Sequence, residues 1–321
     1  MTFRVAGLAI ALAVGVLSWM LTCAAWQFDR VAAGVLPLDP RGFERLTLVT
    51  LGTAGAAEDH NRRGTAIAVG VGERVVLVDA GRGVAEALRA AEIPVSQPEA
   101  VLLTNLLPEN TVGLDDLLAA AWLAGRREPL LLVGPPGTAA LADAVVAAVA
   151  PGSVARARAL GDDETPPAFD AVEVASEWEA SRGGLALSAG ALPGGPLPAL
   201  AWRVAAGGRS AVIGGTGWGS EVLERFARGA ELLVHDAGYV PTAEEARELG
   251  VEEDPERLAR EAELLTHLDE VGAIARRAGV GALVLVRLRP PPVYDLQITM
   301  RVDDHFEGRI AVAQDGDEFT P

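Results

Sequence analysis

Short apolar runs and amphipathic stretches alternate along the chain from residue 46 onwards. Apolar runs bounded by Gly or Pro predict buried strands, whereas longer stretches with apolar residues at helical spacing predict helices. The predicted strands are residues 46–51, 65–71, 74–78, 100–104, 130–133, 185–189, 199–204, 210–213, 232–234, 283–286 and 309–312. The predicted helices are residues 84–91, 114–123, 138–149, 220–227, 255–265 and 268–278.

The order of these elements predicts an α/β fold. Strands joined by short glycine turns come first, and strand–helix units follow, which favours two sheets packed between outer helices. Residues 151–167 are polar and contain proline, and residues 190–198 are rich in Gly, Pro and Leu. Both stretches are predicted to be surface connections.

A membrane segment is predicted near the N-terminus. Residues 5–28 include no charged side chain, and at about 1.5 Å per residue such a helix crosses a hydrocarbon core of about 30 Å. Arg4 precedes the segment and Trp19 and Trp26 lie toward its far end, which favours a cytoplasmic N-terminus and an exported remainder. A cleaved signal peptide is the alternative, because residues 23–25 form a small-residue motif.

The predicted organisation therefore has three parts. Residues 1–28 are a membrane anchor or signal segment, residues 29–45 are a short tether with two prolines, and residues 46–321 are the folded domain. The predicted location is a bacterial inner membrane, crossed once, with the main domain in the periplasm or outside the cell.

Charge and cysteine content exclude some classes of function. The formal net charge is −17 and the pI is near 4.7, so phosphate backbones are repelled and nucleic acid is not an expected partner. Cys23, the single cysteine, lies in the apolar N-terminal segment and can form neither an internal disulfide nor a thiolate metal cage. The four histidines, His60, His235, His267 and His305, are not paired at ligand spacing.

Eight segments occur in the order found in one known family. They are LVTLGTAGAAEDHNRRGTAIAV, VVLVDAGRGV, VLLTNLLPENTVGLDDLL, REPLLLVGPPGT, VIGGTGW, LLVHDAGY, GVGALVLVRLRPPPVYD and FEGRIAVAQDG. Over residues 46–318 the chain resembles the metallo-β-lactamase fold superfamily, in its ribonuclease Z and arylsulfatase-like branch. The resemblance implies a four-layer αββα sandwich, here preceded by one transmembrane helix, and a homodimer as one possible assembly.

The same resemblance implies a dinuclear metal site, but nearly all of its ligand positions are changed. The histidines and aspartate of the family motif His-x-His-x-Asp-His align with Asn105, Leu107, Glu109 and Asn110. The remaining ligands align with Gly195, Gly215 and Arg287. Zinc requires about three or four donor side chains, and of these seven only Glu109 donates well. We therefore expect no metal ligands, no catalytic residues and no cofactor.

Four further side chains complete the candidate site. Asp79 keeps its family position and is expected to be a structural acceptor, and His235 and Asp236 are expected to fix a loop. His267 is expected to be an exposed residue at a helix N-terminus. In the alternative interpretation, Glu109, Asp236 and His267, with help from Asp79, bind one zinc or manganese ion.

Arg287 suggests how the site balances its charge. We hypothesise that its guanidinium replaces the metals by pairing bidentately with Glu109 or Asp79 while Asn105 and Asn110 satisfy the remaining polar groups.

Two functions follow from these residues. The first is a membrane-anchored pseudo-hydrolase that binds a small ligand or a protein partner without catalysis. The alternative is a metal-dependent hydrolase of phosphate or sulfate esters with a rebuilt metal site. Processing of transfer RNA is opposed by the negative charge and the predicted export.

Overall fold

The computed structural model describes residues 14–28, 36–56, 59, 61–214, 218–248, 250, 254–289 and 295–321. The chain divides into two units, Met1–Asp39 and Pro40–Pro321. In the first unit the described helix is α1, Val14–Phe28, an apolar helix in which every residue except Cys23 is exposed. It is shorter than the roughly 20 residues that span a bilayer, and the start of the predicted segment lies outside the described residues. A transmembrane α1 therefore stays a prediction.

The second unit contains two mixed β-sheets. The strands are β1 Phe43–Gly52, β2 Ala66–Gly72, β3 Arg74–Val78, β4 Ala100–Leu102, β5 Leu130–Gly134, β6 Phe169–Glu173, β7 Glu177–Arg182, β8 Leu185–Leu192, β9 Ala199–Ala206, β10 Arg209–Ile213, β11 Leu232–Gly238, β12 Ala282–Arg289, β13 Arg309–Val312 and β14 Glu318–Phe319. The helices are α2 Val84–Ala90, α3 Pro108–Thr111, α4 Leu114–Leu123, α5 Thr138–Leu160, α6 Ser220–Ala227, α7 Ala243–Glu248, α8 Pro255–Ala262, α9 Leu268–Ala278 and α10 Asp295–Asp303.

Each sheet has seven strands, in the orders β14-β1-β2-β3-β4-β5-β6 and β13-β12-β11-β10-β9-β8-β7. The strands from β1 to β3 and from β7 to β10 are antiparallel neighbours, connected by short turns except for the longer segment 53–65 between β1 and β2. The strands from β3 to β6 and from β10 to β13 are parallel neighbours, since their connections cross over. The carboxyl ends of the parallel strands carry the loops described below.

The hydrophobic core lies in three layers. A central cluster of inward-facing residues from both sheets includes Leu48, Val76 and the fully buried Trp202, whose Nε1 donates to the backbone oxygen of Leu103 at 3.0 Å. Two outer clusters pack helices onto the other face of each sheet, with α2 and α4 on the first sheet and α6 and α9 on the second. The predicted α/β arrangement of two sheets flanked by helices is confirmed.

The prediction that residues 151–167 form a surface connection was wrong in its first half, because α5 continues through Pro151 to Leu160. The helix remains anchored beyond the proline by the buried side chain of Ala157, and it ends at Gly161 in the left-handed conformation with φ 72°. The stretch 190–198 was also partly wrong, since β8 extends to Leu192.

Several elements were missed by the sequence prediction. Strands β6 and β7 lie at the edges of their sheets and contain acidic residues, so their apolar pattern is weak. Strand β14 and the helices α3, α7 and α10 are short. Short elements carry too few periodic positions to be detected from one sequence.

Helix α5 is long and apolar enough to cross a membrane by length and composition alone, with a mean hydropathy of 1.6. It connects β5 to its parallel neighbour β6, however, and such a crossover helix lies along the sheet it serves. The helix is rich in alanine, and it packs against the sheet through a few small side chains.

Replacing Pro151 by alanine should stabilise the protein. Proline inside a helix removes one backbone hydrogen bond and clashes with the preceding turn, so Pro151→Ala should raise the free energy of unfolding by about 1–3 kcal/mol. Urea unfolding followed by circular dichroism measures this. Pro166→Ala is the control, because Pro166 is exposed outside any helix or strand. An equal effect of both substitutions would contradict the expected strain at position 151.

Candidate functional site

Loops from both sheets meet at one cavity of about 290 Å³. Asp79 follows β3, the segment from Asn105 to Asn110 follows β4, and Asp236 and Arg287 belong to β11 and β12. The residues that border the cavity are Thr53, Ala54, Gly55, Ala56, Asp59, Arg62, Asn105, Leu107, Glu109, Asn110, Pro196, Trp218, Asp236, Leu264, Leu265, Arg287, Leu288 and Arg289. The candidate residues from distant parts of the sequence are thus brought together around one space.

Arg287 is held in the wall of this cavity by both its backbone and its side chain. Its φ angle is 51°, in the left-handed region that an arginine rarely adopts, and its backbone N–H donates to the oxygen of Thr53 at 2.8 Å. Its side chain is only 8% exposed. Nη1 donates to Oδ1 of Asn110 at 3.1 Å and lies 3.6 Å from Oδ2 of Asp79.

This geometry corrects one part of the charge-replacement hypothesis. Arg287 forms the expected ion pair with Asp79, but the contact runs through one nitrogen and is longer than a hydrogen bond. The predicted bidentate pairing was therefore wrong. The carboxylate of Asp79 is already engaged by Thr104, which explains why the guanidinium turns to the amide of Asn110 instead.

Asp79 is buried and acts as an acceptor that fixes the next loop. Its carboxylate receives the backbone N–H of Thr104 at 2.8 Å and the Thr104 hydroxyl at 2.8 and 3.0 Å. Asp79 also has a positive φ of 61°, so the chain turns sharply after β3. Burial raises the pKa of Asp79 to about 6, although Arg287 and the Thr104 hydrogen bonds act in the opposite direction.

The side-chain amides of Asn110 and Asn105 extend the hydrogen-bond network that begins at Asp79 and Thr104. Nδ2 of Asn110 donates to Oγ1 of Thr104 at 3.2 Å and to Oδ1 of Asn105 at 2.8 Å. The backbone N–H of Leu107 donates to the same Oδ1 at 2.9 Å. Because Oδ1 of Asn105 already accepts two hydrogen bonds, its amide cannot be flipped. Nδ2 of Asn105 is left buried, with no hydrogen-bond partner among the described residues.

Gly195 stands where the family resemblance implies a histidine ligand, and the indole of Trp218 lies against it. A β-carbon added at position 195 would come within 2.0 Å of Cε2 and 2.2 Å of Nε1 of Trp218. The ring therefore occupies the space next to the backbone that a side chain at position 195 would need. Nε1 of Trp218 is buried and finds no acceptor in the part of the chain that the structure describes.

His235 and Asp236 form a local pair at the end of β11. Nδ1 of His235 lies 2.6 Å from the backbone oxygen of Asp236 and 3.0 Å from Oδ1, and Oδ1 itself has no hydrogen-bond partner of good geometry within the described residues. Burial acts to raise the pKa of Asp236, but the His235 ring and the Arg287 guanidinium outweigh it and lower the pKa below its ordinary value. Asp236 is thus an anionic acceptor that borders the cavity.

The other candidate residues are divided between the cavity and its surroundings. Leu107 and Glu109 border the cavity, and Gly215 lies outside the described residues. His267 is the N-cap of α9, where its Nδ1 accepts the backbone N–H of Asp269 at 3.3 Å, and its ring lies 5.6 Å from that of Tyr239. No group of three or more His, Cys, Asp or Glu residues that could hold a metal ion occurs among the described residues.

Sequence reasoning missed the apolar wall of the cavity. Trp218 and the leucines at positions 264, 265 and 288 were not singled out, nor were Arg62 and Arg289. Trp218 follows the Gly-rich turn that begins at Gly214, and a large aromatic beside small residues was the one available signal. The leucines look like ordinary core positions, because nothing in their spacing points to a cavity.

Comparison with known proteins gives the family. Over 277 residues the chain is 30% identical to ribonuclease Z of Mycobacterium bovis (strain BCG / Pasteur 1173P2), which covers 84% of this chain and 96% of that relative. The chain belongs to the ribonuclease Z family. A second relative, ribonuclease Z of Mycobacterium sp. (strain KMS), is 32% identical over 250 residues, or 77% of this chain and 85% of its own length. No family model matches the chain.

Solved structures give the fold of this ribonuclease Z family member. The metallo-β-lactamase fold protein YhfI from Bacillus subtilis superposes with a TM-score of 0.63 at 17% identity, over 85% of this chain and 98% of that one. The short form of human tRNase Z has a TM-score of 0.60 at 16% identity, again over 85% and 98%. Zinc-bound PqqB from Methylobacterium extorquens has a TM-score of 0.58 at 19% identity, over 86% and 100%. The predicted metallo-β-lactamase fold is confirmed.

The buried Asp79 should make stability depend on pH. Its pKa is raised from 3.8 to about 6 in the folded state, so the folded protein binds a proton that the unfolded chain releases between these values. The contribution of Asp79 to the free energy of unfolding should therefore fall as pH rises from about 4 to above 6, by on the order of 3 kcal/mol.

Urea unfolding of the wild type and of Asp79→Asn at several pH values isolates this contribution as a difference between the two proteins. Other carboxyl groups cancel in that difference. A difference that stays constant, or that grows with rising pH, would contradict the raised pKa.

Proposed function

We propose that this ribonuclease Z family member has lost the dinuclear metal centre and binds a small ligand at the same place without catalysis. The observation that carries the proposal is the position of Arg287. Its guanidinium is buried between Asp79 and Asn110, at the position that aligns with the last metal ligand of the family. A permanent cation there stands in place of the metal charge.

The donor set around the cavity does not fit two metal ions. Zinc binds through imidazole, thiolate or carboxylate, whereas Asn105 and Arg287 present N–H groups and Leu107 presents a hydrocarbon. Position 195 offers no side chain, and the indole of Trp218 lies against it. Three carboxylates, those of Asp59, Glu109 and Asp236, border the cavity, but among the described residues they do not form a group that could hold a metal ion, and Asp236 interacts with the positive charge of Arg287 instead.

The loss of metals removes the nucleophile in this proposal. In metal-dependent hydrolases the ions activate water and stabilise the developing negative charge. The sequence contains no Gly-x-Ser-x-Gly motif, and its single cysteine is Cys23 in the apolar N-terminal segment. Neither a serine of this motif nor a cysteine in residues 46–321 is therefore present to serve as the nucleophile instead.

A second candidate is a hydrolase of phosphate or sulfate esters with one zinc or manganese ion. It is favoured by the presence of Glu109 and Asp236 at the same cavity and by the zinc in the related fold of PqqB. The relatives are named ribonuclease Z, which suggests an RNA substrate, but a net charge of −17 repels the phosphate backbone and disfavours one.

Metal content separates these candidates. After purified full-length protein is dialysed against Zn²⁺ or Mn²⁺ and then against buffer, the retained metal should be far below one ion per chain. Hydrolysis of bis(p-nitrophenyl) phosphate and p-nitrophenyl sulfate should equal that of Glu109→Ala. Elemental analysis and absorbance at the released nitrophenolate measure the two quantities.

The decisive contrary result is near-stoichiometric metal that disappears in Glu109→Ala or Asp236→Asn together with turnover. Glu179→Ala is the matched control, because Glu179 lies on the edge strand β7, does not border the cavity and should change neither quantity. That outcome would establish the hydrolase instead.

We further propose that the protein is held on a bacterial inner membrane by residues 5–28, with the folded domain on the outer face. The apolar composition of this segment and Arg4 before it support the proposal.

In cell fractionation the chain should remain with the membranes after alkaline carbonate extraction, and protease added to spheroplasts should digest its folded domain. A variant that lacks residues 5–28 should be soluble and protected. A mature protein that begins near residue 26 by mass would favour the signal peptide over the anchor.

A further inference from the structure

Three buried polar atoms with unused hydrogen-bonding capacity border the same cavity. They are Nδ2 of Asn105, Nε1 of Trp218 and Oδ1 of Asp236, in residues that are 0%, 8% and 7% exposed. The two N–H groups find no acceptor among the described residues, and Oδ1 of Asp236 has only the 3.0 Å ion-pair contact with Nδ1 of His235, which lacks good hydrogen-bond geometry. A buried polar group without a partner is unfavourable and rare in proteins, so each requires an explanation such as a bound molecule. Their convergence on one cavity indicates that the molecule is shared.

The three atoms define which hydrogen-bonding groups a ligand needs. Asn105 and Trp218 offer N–H donors, which require acceptor atoms on the ligand, whereas Oδ1 of Asp236 requires a donor. The orientation of the Asn105 amide is certain because its Oδ1 already accepts from Leu107 and Asn110. A ligand with acceptors alone would leave the Asp236 carboxylate with no well-aligned donor at Oδ1 among the described residues.

The charged residues around the cavity indicate which kind of acceptor group the ligand carries. Nη1 of Arg287 is used by Asn110 and Asp79, and the described residues give its Nε and Nη2 no hydrogen bond. These N–H groups favour a negatively charged acceptor. Three acidic residues, Asp59, Glu109 and Asp236, and three arginines, Arg62, Arg287 and Arg289, border the cavity, so its lining has no formal net positive charge to balance a second negative charge on the ligand. A carboxylate, with one charge, suits this balance better than a phosphate dianion.

The remaining wall and the volume define the body of the ligand. Leu107, Pro196, Leu264, Leu265 and Leu288 are apolar, and the Trp218 ring adds an aromatic surface. The cavity of about 290 Å³ is roughly twice the size of an engineered apolar cavity of about 150 Å³ that holds benzene. One ring with small substituents therefore fits.

We propose that this cavity binds a small carboxylic acid with a single apolar ring and one hydrogen-bond donor such as a hydroxyl group. The carboxylate interacts with Arg287 and the N–H groups of Asn105 and Trp218, and the hydroxyl donates to Asp236. The inference rests on the proposed function, since a metal ion at this site would exclude the carboxylate arrangement.

Matched probes test the chemical class. Titration calorimetry on the purified full-length protein compares 3-hydroxyphenylacetate with 3-hydroxyphenethyl alcohol, which lacks the carboxylate, and with phenylacetate, which lacks the hydroxyl. The hydroxy acid should bind about tenfold more tightly than either analogue, because each analogue leaves a buried polar group unpaired. 3-Hydroxyphenyl phosphate should bind more weakly than the hydroxy acid.

Conservative variants test the residues. Trp218→Phe keeps one aromatic ring and removes the N–H together with the rest of the indole, so it should weaken binding of the hydroxy acid about fivefold to tenfold, and the smaller side chain in this buried apolar cluster should lower the unfolding temperature. Trp178→Phe is the matched control, because Trp178 lies on β7 and does not border the cavity. Asp236→Asn should bring the ratio of the affinities for 3-hydroxyphenylacetate and phenylacetate close to one.

The outcomes separate this inference from the proposed function. If retained metal is far below one ion per chain and no probe binds, or if all bind equally, ordered water satisfies the three atoms and the inference is wrong while the proposed function stands. Binding that Trp218→Phe and Asp236→Asn leave unchanged also overturns the inference, since the acid then binds elsewhere. Near-stoichiometric zinc that competes with the probe overturns both.

Discussion

The buried positive charge of Arg287 is the constraint on which the rest of the site depends. A guanidinium removed from water must be matched by an opposite charge and by hydrogen-bond acceptors, and Asp79 and Asn110 supply them. Asp79 in turn fixes Thr104, and Asn110 fixes Asn105, so the loops after β3 and β4 are joined to strand β12 through one network. The two sheets are held in register at this edge by polar groups, while the Trp202 core holds them elsewhere.

The same network explains why the fold and the chemistry of the family can separate. The sheets are stabilised by three apolar clusters, of which only Trp218 and Leu288 also border the cavity. Asp79 orders the loop after β4 through the backbone N–H and the hydroxyl of Thr104, and neither contact involves the side chains of Asn105 or Leu107. A family member can therefore exchange its site residues without disturbing the sandwich.

Much of the fold was predictable because it depends on patterns that a sequence displays. Strands β3 and β13 and the helices α4, α6 and α9 were predicted with their observed bounds, since each is a run of apolar or periodic residues with a clear end. The edge strand β7 was not, because half of it faces solvent. Pairing of Arg287 with either Glu109 or Asp79 was predicted from the family resemblance together with the balance of charge. The choice of Asp79 and the single-nitrogen geometry were not, since they depend on Thr104 and on positive φ angles at both residues.

The contact between Gly195 and Trp218 couples two positions that lie far apart in the sequence. A mutation that added a side chain at position 195 would bring its β-carbon against the indole. Such a mutation is therefore harmful by itself, and it is tolerated only where the tryptophan has changed as well. Variation at these two positions must consequently occur together, so that a larger residue at the first is accompanied by a smaller one at the second.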